Sequence, residues 1–282
     1  MKLAIHYKAI FRYAQEASFS PHIVRLFPRR DFYVQVGSTR FSAQGSADIQ
    51  FRSDLFGNLT AVCFFPELQD ILNFSLELEL DVLERNPFHF LLEDSALELP
   101  VQYRPQEAGV LAPFLAMQSE HLDLPAALRA PAKTATMEAL VAWNSAAHEL
   151  IAYERREEGD PLPPAETLRL RRGSCRDTAV LFAEVLRIHG IAARLVSGYL
   201  WEDPEDPSGR RAENALHAWV EAYLPGAGWV GMDPTNGVFA DHHRIPAAIG
   251  LHHARIAPIE GHYYGRHLIS SQLETALEII PL

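Results

Sequence analysis

The sequence predicts an α+β protein: an antiparallel, sandwich-like β-rich first part, then a second part that mixes helices with strands. Three observations carry this. Residues 72–82, LNFSLELELDV, alternate apolar and polar side chains without a break, the period of a strand with one buried and one wet face. Other short apolar runs over about the first hundred residues are separated by turn chemistry such as DLFGN at 54–58, a pattern of antiparallel sandwiches and barrels. Beyond residue 135 apolar spacing becomes helical in two stretches, and three β-patterned runs follow.

In order, the first part offers strands at 2–13, 20–27, 32–36, 47–51, 59–65 and 72–82. Residues 103–133 carry Pro105, Pro113, Pro125 and Pro131 and read as a connection with short helical pieces. The expected division is 1–115 for the β-rich domain and 116–282 for the second. A helix is predicted over 136–153, with Met137, Leu140, Val141, Ala147, Leu150 and Ile151 at helical spacing. A second runs from Cys175 to His189-Gly190, where glycine suits a helix C-terminus. Strands are predicted at 192–201, 215–224 and 228–233. The acids of EDPEDPSGRR, 202–211, lack the spacing of a calcium loop and read as a solvated loop.

Composition narrows the function. The 282 residues carry a formal net charge of -11, which disfavours a nucleic-acid or anionic-membrane surface. The two cysteines, Cys63 and Cys175, make no disulfide framework. The N-terminus MKLAIHYKAIFRYAQE has no continuous apolar core of a signal peptide, and no apolar run is long enough for a membrane span. The expected location is the cytoplasm.

The chemistry gathers around RRGSCRDTAVLF, 171–182. Ser174 is a good N-cap, and Asp177 three residues on completes a capping box. Cys175 is then the first helical residue, beside unpaired N–H groups and the positive end of the helix dipole, where a thiolate is stabilised. Free cysteine is also commonly just a small buried hydrophobe, so the segment alone does not decide. Cys63, in the apolar run AVCFF, reads as core.

A nucleophilic thiolate needs a base. His217 begins the strand HAWVEAYL and shares a face with Trp219, Glu221 and Tyr223; after PGAG a second strand, WVGMD, ends at Asp233-Pro234. Hairpin parity matters. A four-residue loop pairs Trp229 with Leu224 and puts His217 and Asp233 on opposite faces. A five-residue loop pairs Trp229 with Tyr223 and puts Asp233 opposite Trp219, diagonal to His217 and within reach of it.

The ordered motifs GSCRD, GIAARLVSGYL and HAWVEAYLPGAGWVGMDPTNG, over roughly 145–237, resemble the bacterial transglutaminase-like superfamily of cysteine enzymes. HYKAIFRY and DLFGN resemble the N-terminal β domain that accompanies it. The resemblance implies a papain-like α+β core and a triad: Cys175 as nucleophile, His217 as base and acid, Asp233 as orienter of the imidazole. Asp177 looks like capping. Residues 251–253, Leu-His-His, depart from the family pattern, so the substrate is not carried over.

The implied chemistry is acyl transfer on the amide of a peptide or protein substrate through a thioester, with no cofactor and no metal. Hydrolysis is the first expectation, transamidation (a transglutaminase) the second, and a non-catalytic binding or assembly module on the same fold the third. The Cys175 N–H is one expected oxyanion donor; Trp143 and Asn144 are candidates for the other. His242, His243, His252, His253, His262 and His267 form no metal motif, and adjacent histidines on a strand point to opposite faces. Oligomeric state is not legible in the sequence.

Overall fold

A computed structural model describes residues 1–119, 122–131, 133–156, 159–202, 214–265 and 270–282. Strands β1 (Lys2–Phe19), β2 (His22–Val24), β3 (Val34–Gln44), β4 (Asp48–Ser53), β5 (Leu59–Phe64) and β6 (Gln69–Val82) build the first part. In β6, Leu72, Phe74, Leu76, Leu78, Leu80 and Val82 are all buried, as their alternation requires. They meet Leu3, Ile5, Tyr7 and Ala9 of β1, which runs antiparallel to β6 with Tyr7 opposite Leu76. Val24, Ala61 and Cys63, from the sheet that holds β2, β5 and β4, close the same core from the other side. Each such aliphatic side chain contributes about 1.5–3 kcal/mol by leaving water.

Two strands outrun their predicted ends. β1 continues past 13 to Phe19, and β3 past 36 to Gln44. The segment GSTRFSAQ looks like a loop because Ser38, Arg40 and Ser42 are polar, yet β3 is ordered by pairing with β6, across a register shift between Val36 and Ser38. The run expected at 20–27 narrows to β2.

The connection holds α1 (Pro105–Leu115), started by Pro105 at a position where its missing N–H costs nothing. Then come α2 (Thr136–Leu150), β7 (Ala152–Tyr153), α3 (Pro164–Leu170), β8 (Arg172–Gly173) and α4 (Cys175–Ile188). Strands β9 (Ala193–Leu200), β10 (Ala215–Leu224), β11 (Gly228–Asp233), β12 (Val238–Phe239) and β13 (Arg244–Gly250) form one antiparallel sheet in the order β12-β11-β10-β9-β13. Leu181, Phe182, Val185 and Leu186 of α4 and Trp143 of α2 bury against Leu195, Val220, Ala222 and Leu224 of this sheet. Helices on one side of an antiparallel sheet give the papain-like α+β half; the β sandwich gives the other.

The two halves are joined more closely than a cut near 115 implies. Tyr199, Trp201, Ile245 and Ala247 pack into the first core, and the Tyr199 hydroxyl donates to Leu26 O at 2.6 Å. The chain then returns: β14 (Ile259–Glu260) pairs with β2, while β15 (Tyr263–Tyr264) and β16 (Ser271–Pro281) pair with β1. Residues 259–281, expected with the second part, thus extend the sheets of the first. The physical reason is the period-two set Leu273, Leu277 and Ile279, which adds to that core.

Candidate active site

The first turn of α4 is anchored by Asp177. Its buried carboxylate accepts the Ser174 N–H at 2.7 Å and the Ser174 hydroxyl at 2.9 Å through Oδ2. Through Oδ1 it accepts Arg156 Nη2 at 2.5 Å and the Leu162 N–H at 2.7 Å. Arg176 reaches back to the carbonyls of Gly159 and Arg156, each at 2.9 Å. The capping predicted from Ser-x-x-Asp is therefore present, and it also fastens the loop ahead of α3 to the start of the helix. Gly173 is required by this closeness, because a Cβ there would lie 2.8 Å from Asp177 Cβ.

Cys175 follows as the first residue of α4 and is half-buried. The His217 ring and the Ala218 N–H are close enough to act on its thiol. Burial pushes the thiol upward. The His217 ring and its charge, the Ala218 N–H and the Arg176 guanidinium outweigh it, and the thiol lies below its ordinary value.

His217 stands near the start of β10, its ring stacked on Trp219 two residues on, at 6.2 Å between centroids. The hairpin takes the odd register: Tyr223 pairs with Trp229 and Val220 with Met232. Leu224 also pairs with Gly228, so the turn is three residues long, shorter than the five-residue loop but of the same parity, and Asp233 falls opposite Trp219 on the His217 side. His217 Nε2 lies 2.9 Å from Asp233 Oδ2 with both side chains buried, which leaves Nδ1 for the sulfur. The Nε2–H is not aimed along that short line. Burial lowers the affinity of the ring for a proton, but the nearby Asp233 carboxylate, with the Cys175 sulfur, raises it to about 10. Burial raises Asp233, and His217, Arg244 and Asn236 pull it well below the usual carboxylate range.

Arg244, at the head of β13, went unnoticed in the sequence. Its Nε lies 2.9 Å from Asp233 Oδ2 and its Nη1 2.9 Å from Asp241 Oδ1, with the guanidinium fully buried. Asn236 Nδ2 donates to the same Oδ2 of Asp233 at 2.8 Å. The sequence signal was a lone cation opening the apolar run RIPAAIG.

Other expectations need correction. Trp143 packs against His189 with ring centroids 4.0 Å apart and planes tilted by 34°. His189 caps the far end of α4, about 20 Å from Cys175 at about 1.5 Å per residue, so Trp143 is no oxyanion donor. Asn144 Nδ2 donates to Val238 O at 3.1 Å through one of its two N–H groups. His242 and His243 do not point apart, because they lie in a turn ahead of β13, with rings 4.2 Å apart. With Asp241 they bring ligand-type atoms within 4.8 Å of one another. However, Asp241 Oδ1 accepts from Arg244 and the His243 N–H, and Oδ2 lies 3.1 Å from His243 Nδ1. A guanidinium within the group opposes a cation, so these residues make a polar network around Arg244. His252 and His262 are exposed, and His253 Nδ1 lies 4.0 Å from Asp160. His267 and most of the 202–211 loop lie outside the described residues.

Residues 123–234 match the transglutaminase-like superfamily, and residues 3–81 match the bacterial transglutaminase-like N-terminal region. An uncharacterized protein of Mycobacterium leprae is 37% identical over 117 residues, 42% of this chain and 40% of that protein. An uncharacterized protein of Mycobacterium tuberculosis is 34% identical over 121 residues, 41% of this chain and 38% of that protein. These matches therefore span about two fifths of the relatives' length. A protein-glutamine gamma-glutamyltransferase of Pseudomonas aeruginosa is 41% identical over 68 residues, 23% of this chain and 10% of that protein. In fold, the chain is similar to a Cytophaga hutchinsonii protein described as a candidate cysteine protease, with a TM-score of 0.72 at 18% identity, over 99% of this chain and 90% of that one. The chain belongs to the transglutaminase-like superfamily, in the bacterial form whose core follows a β-rich N-terminal region.

Proposed function

We propose that the protein is a cysteine-dependent acyl-transfer enzyme that cleaves an amide bond of a peptide or protein substrate. One observation carries the reading: Nε2 of the His217 imidazole lies 2.9 Å from the buried Asp233 carboxylate, and that imidazole acts on the Cys175 thiol to lower it. The lowered thiol and the raised imidazole both favour the thiolate–imidazolium form of the pair.

The Cys175 thiolate attacks the substrate carbonyl carbon, and the C=O electron pair moves to oxygen. That oxyanion is held by the Cys175 N–H, one of the first-turn donors that has no partner within its own helix. Collapse re-forms the carbonyl and breaks the C–N bond. The departing amine takes the proton of His217, leaving a thioester and neutral imidazole. Water then gives His217 a proton and attacks the thioester, and thiolate departs as the carboxylic product forms. Asp233 keeps Nδ1 turned to the sulfur throughout.

Hydrolysis is preferred because water always reaches an open thioester, whereas an amine needs a site of its own. Transamidation is the second reading, favoured by the similarity to the Pseudomonas aeruginosa transferase. A binding module without chemistry has no use for a lowered thiol beside a raised imidazole. The test is Cys175→Ala against a peptide library: cleavage must vanish while the circular dichroism spectrum is kept. Cleavage at the wild-type rate would exclude the nucleophile, and amine incorporation without cleavage would select the transferase.

A further inference from the structure

We propose that Arg244 is a positioning residue of this site: it competes with the His217 imidazole for one oxygen of Asp233, offsets that carboxylate's charge, and so sets the upper pH limit of the thiolate–imidazolium pair. The inference rests on the proposed role of Cys175 and His217. Oδ2 of Asp233 receives three groups: His217 Nε2 and Arg244 Nε at 2.9 Å each, and Asn236 Nδ2 at 2.8 Å. A carboxylate oxygen has two lone pairs in its plane, so three donors crowd it. The off-line Nε2–H of His217 is the expected consequence.

Arg244 is itself held in place. Nη1 binds Asp241, whose other oxygen lies 3.1 Å from His243 Nδ1, and the His243 ring stacks on Trp201 with planes 11° apart. A wholly buried guanidinium spanning two carboxylates keeps its charge and its aim. Among the described residues, the charged and titratable groups around the pair include His217 from β10, Asp233 from β11, Asp241, His242 and His243 from the turn before β13, and Arg176 beside Cys175 on α4. The nitrogens of Arg244 and His217 share an oxygen, so they lie less than about 6 Å apart. At that range removing a cation makes the imidazolium hold its proton to higher pH, by about one to two units.

The test uses two alkylating probes on the full chain. Iodoacetate is an anion and is favoured while the imidazolium keeps its proton; neutral iodoacetamide reports the thiolate alone. The pH midpoint at which their rate ratio collapses reads the loss of the His217 proton. Arg244→Met moves this midpoint up by a unit or more, and Arg244→Lys, which keeps the charge, returns it toward wild type. Asp241→Asn removes an anion and frees the guanidinium for Asp233, so it moves the midpoint down. A merely structural arginine would lower the rates without moving the midpoint. If Arg244→Met does not fold, the downward shift of Asp241→Asn decides. Midpoints coincident with wild type in the folded variants overturn the proposal. A wild-type ratio flat across pH overturns the Cys175–His217 pair itself, and is distinguished by being seen before any substitution.

Discussion

Asp233 Oδ2 sits 2.9 Å from His217 Nε2, brought there by a strand pair that sets Trp219 opposite Asp233. The carboxylate fixes which imidazole nitrogen faces the sulfur. Asp233→Asn keeps the shape and removes the charge. Catalysis is expected to fall by about 10³–10⁴-fold, and the imidazolium, losing its anion, gives up its proton at lower pH. The pH profile of amide cleavage reads both.

The pH window follows from the same shifts. Cys175 lies below its ordinary value, so thiolate forms as pH rises through that lowered point; His217 is raised to about 10, so the imidazolium persists until pH rises through it. Stability is linked with the same signs. The raised His217 contributes stability that is full below its unfolded value and is lost as pH rises toward about 10. The depressed Asp233 contributes stability present above its unfolded value and lost as pH falls through the folded one. Denaturant midpoints against pH are expected to fall at both extremes, and the alkaline fall shrinks in His217→Gln.

The Asp177 network predicts a stability effect with a catalytic consequence. Asp177→Ala removes the acceptor for two backbone N–H groups and leaves Arg156 without its carboxylate. A loss of about 2–4 kcal/mol is expected, with slower alkylation of Cys175 because the first turn loosens. Urea unfolding with thiol kinetics on the same samples measures both.

The hairpin supplies a test by parity. Deleting Ala227 from the turn between Leu224 and Gly228 shifts the pairing by one residue and turns Asp233 to the other face. Cys175 reactivity is expected to drop to that of an unassisted thiol. Adding one residue back at the same place restores it, which a general loss of folding would not allow.

The C-terminal strand predicts a dependence of one end of the chain on the other. Ending the chain at Ser270 removes β16 and bares one edge of β1 along Leu3–Tyr13, its other edge remaining paired with β6. A lower melting temperature and concentration-dependent association through the bared edge are expected, read by calorimetry and light scattering.

Much of this was legible because local chemistry and tertiary structure agreed. β6 was readable from its period, and the start of α4 from Ser174 and Asp177, since both signals lie within a few residues. The hairpin register was readable only as two alternatives, because the turn residues fit either and the choice came from packing Trp219 and His217 inside. Arg244 was not readable as part of the site: its partners Asp233 and Asp241 become neighbours only once β13 closes the sheet. β3 was cut short because its wet face is serine- and arginine-rich, which resembles a loop until β6 pairs with it. β16 was missed because its partner is at the opposite end of the chain. Trp143 was misplaced because sequence gives the phase of α2 but not which end of α4 it meets.

The most direct measurement is the rate at which iodoacetamide labels Cys175 near neutral pH, with the chain intact and again as His217→Asn. Cys63, which burial pushes up to about 12, serves as the inert thiol within the same molecule. The account predicts labelling of Cys175 well above that of a free thiol peptide, falling to it or below when the imidazole is removed. Labelling no faster than the free peptide, unchanged by the substitution, would contradict it.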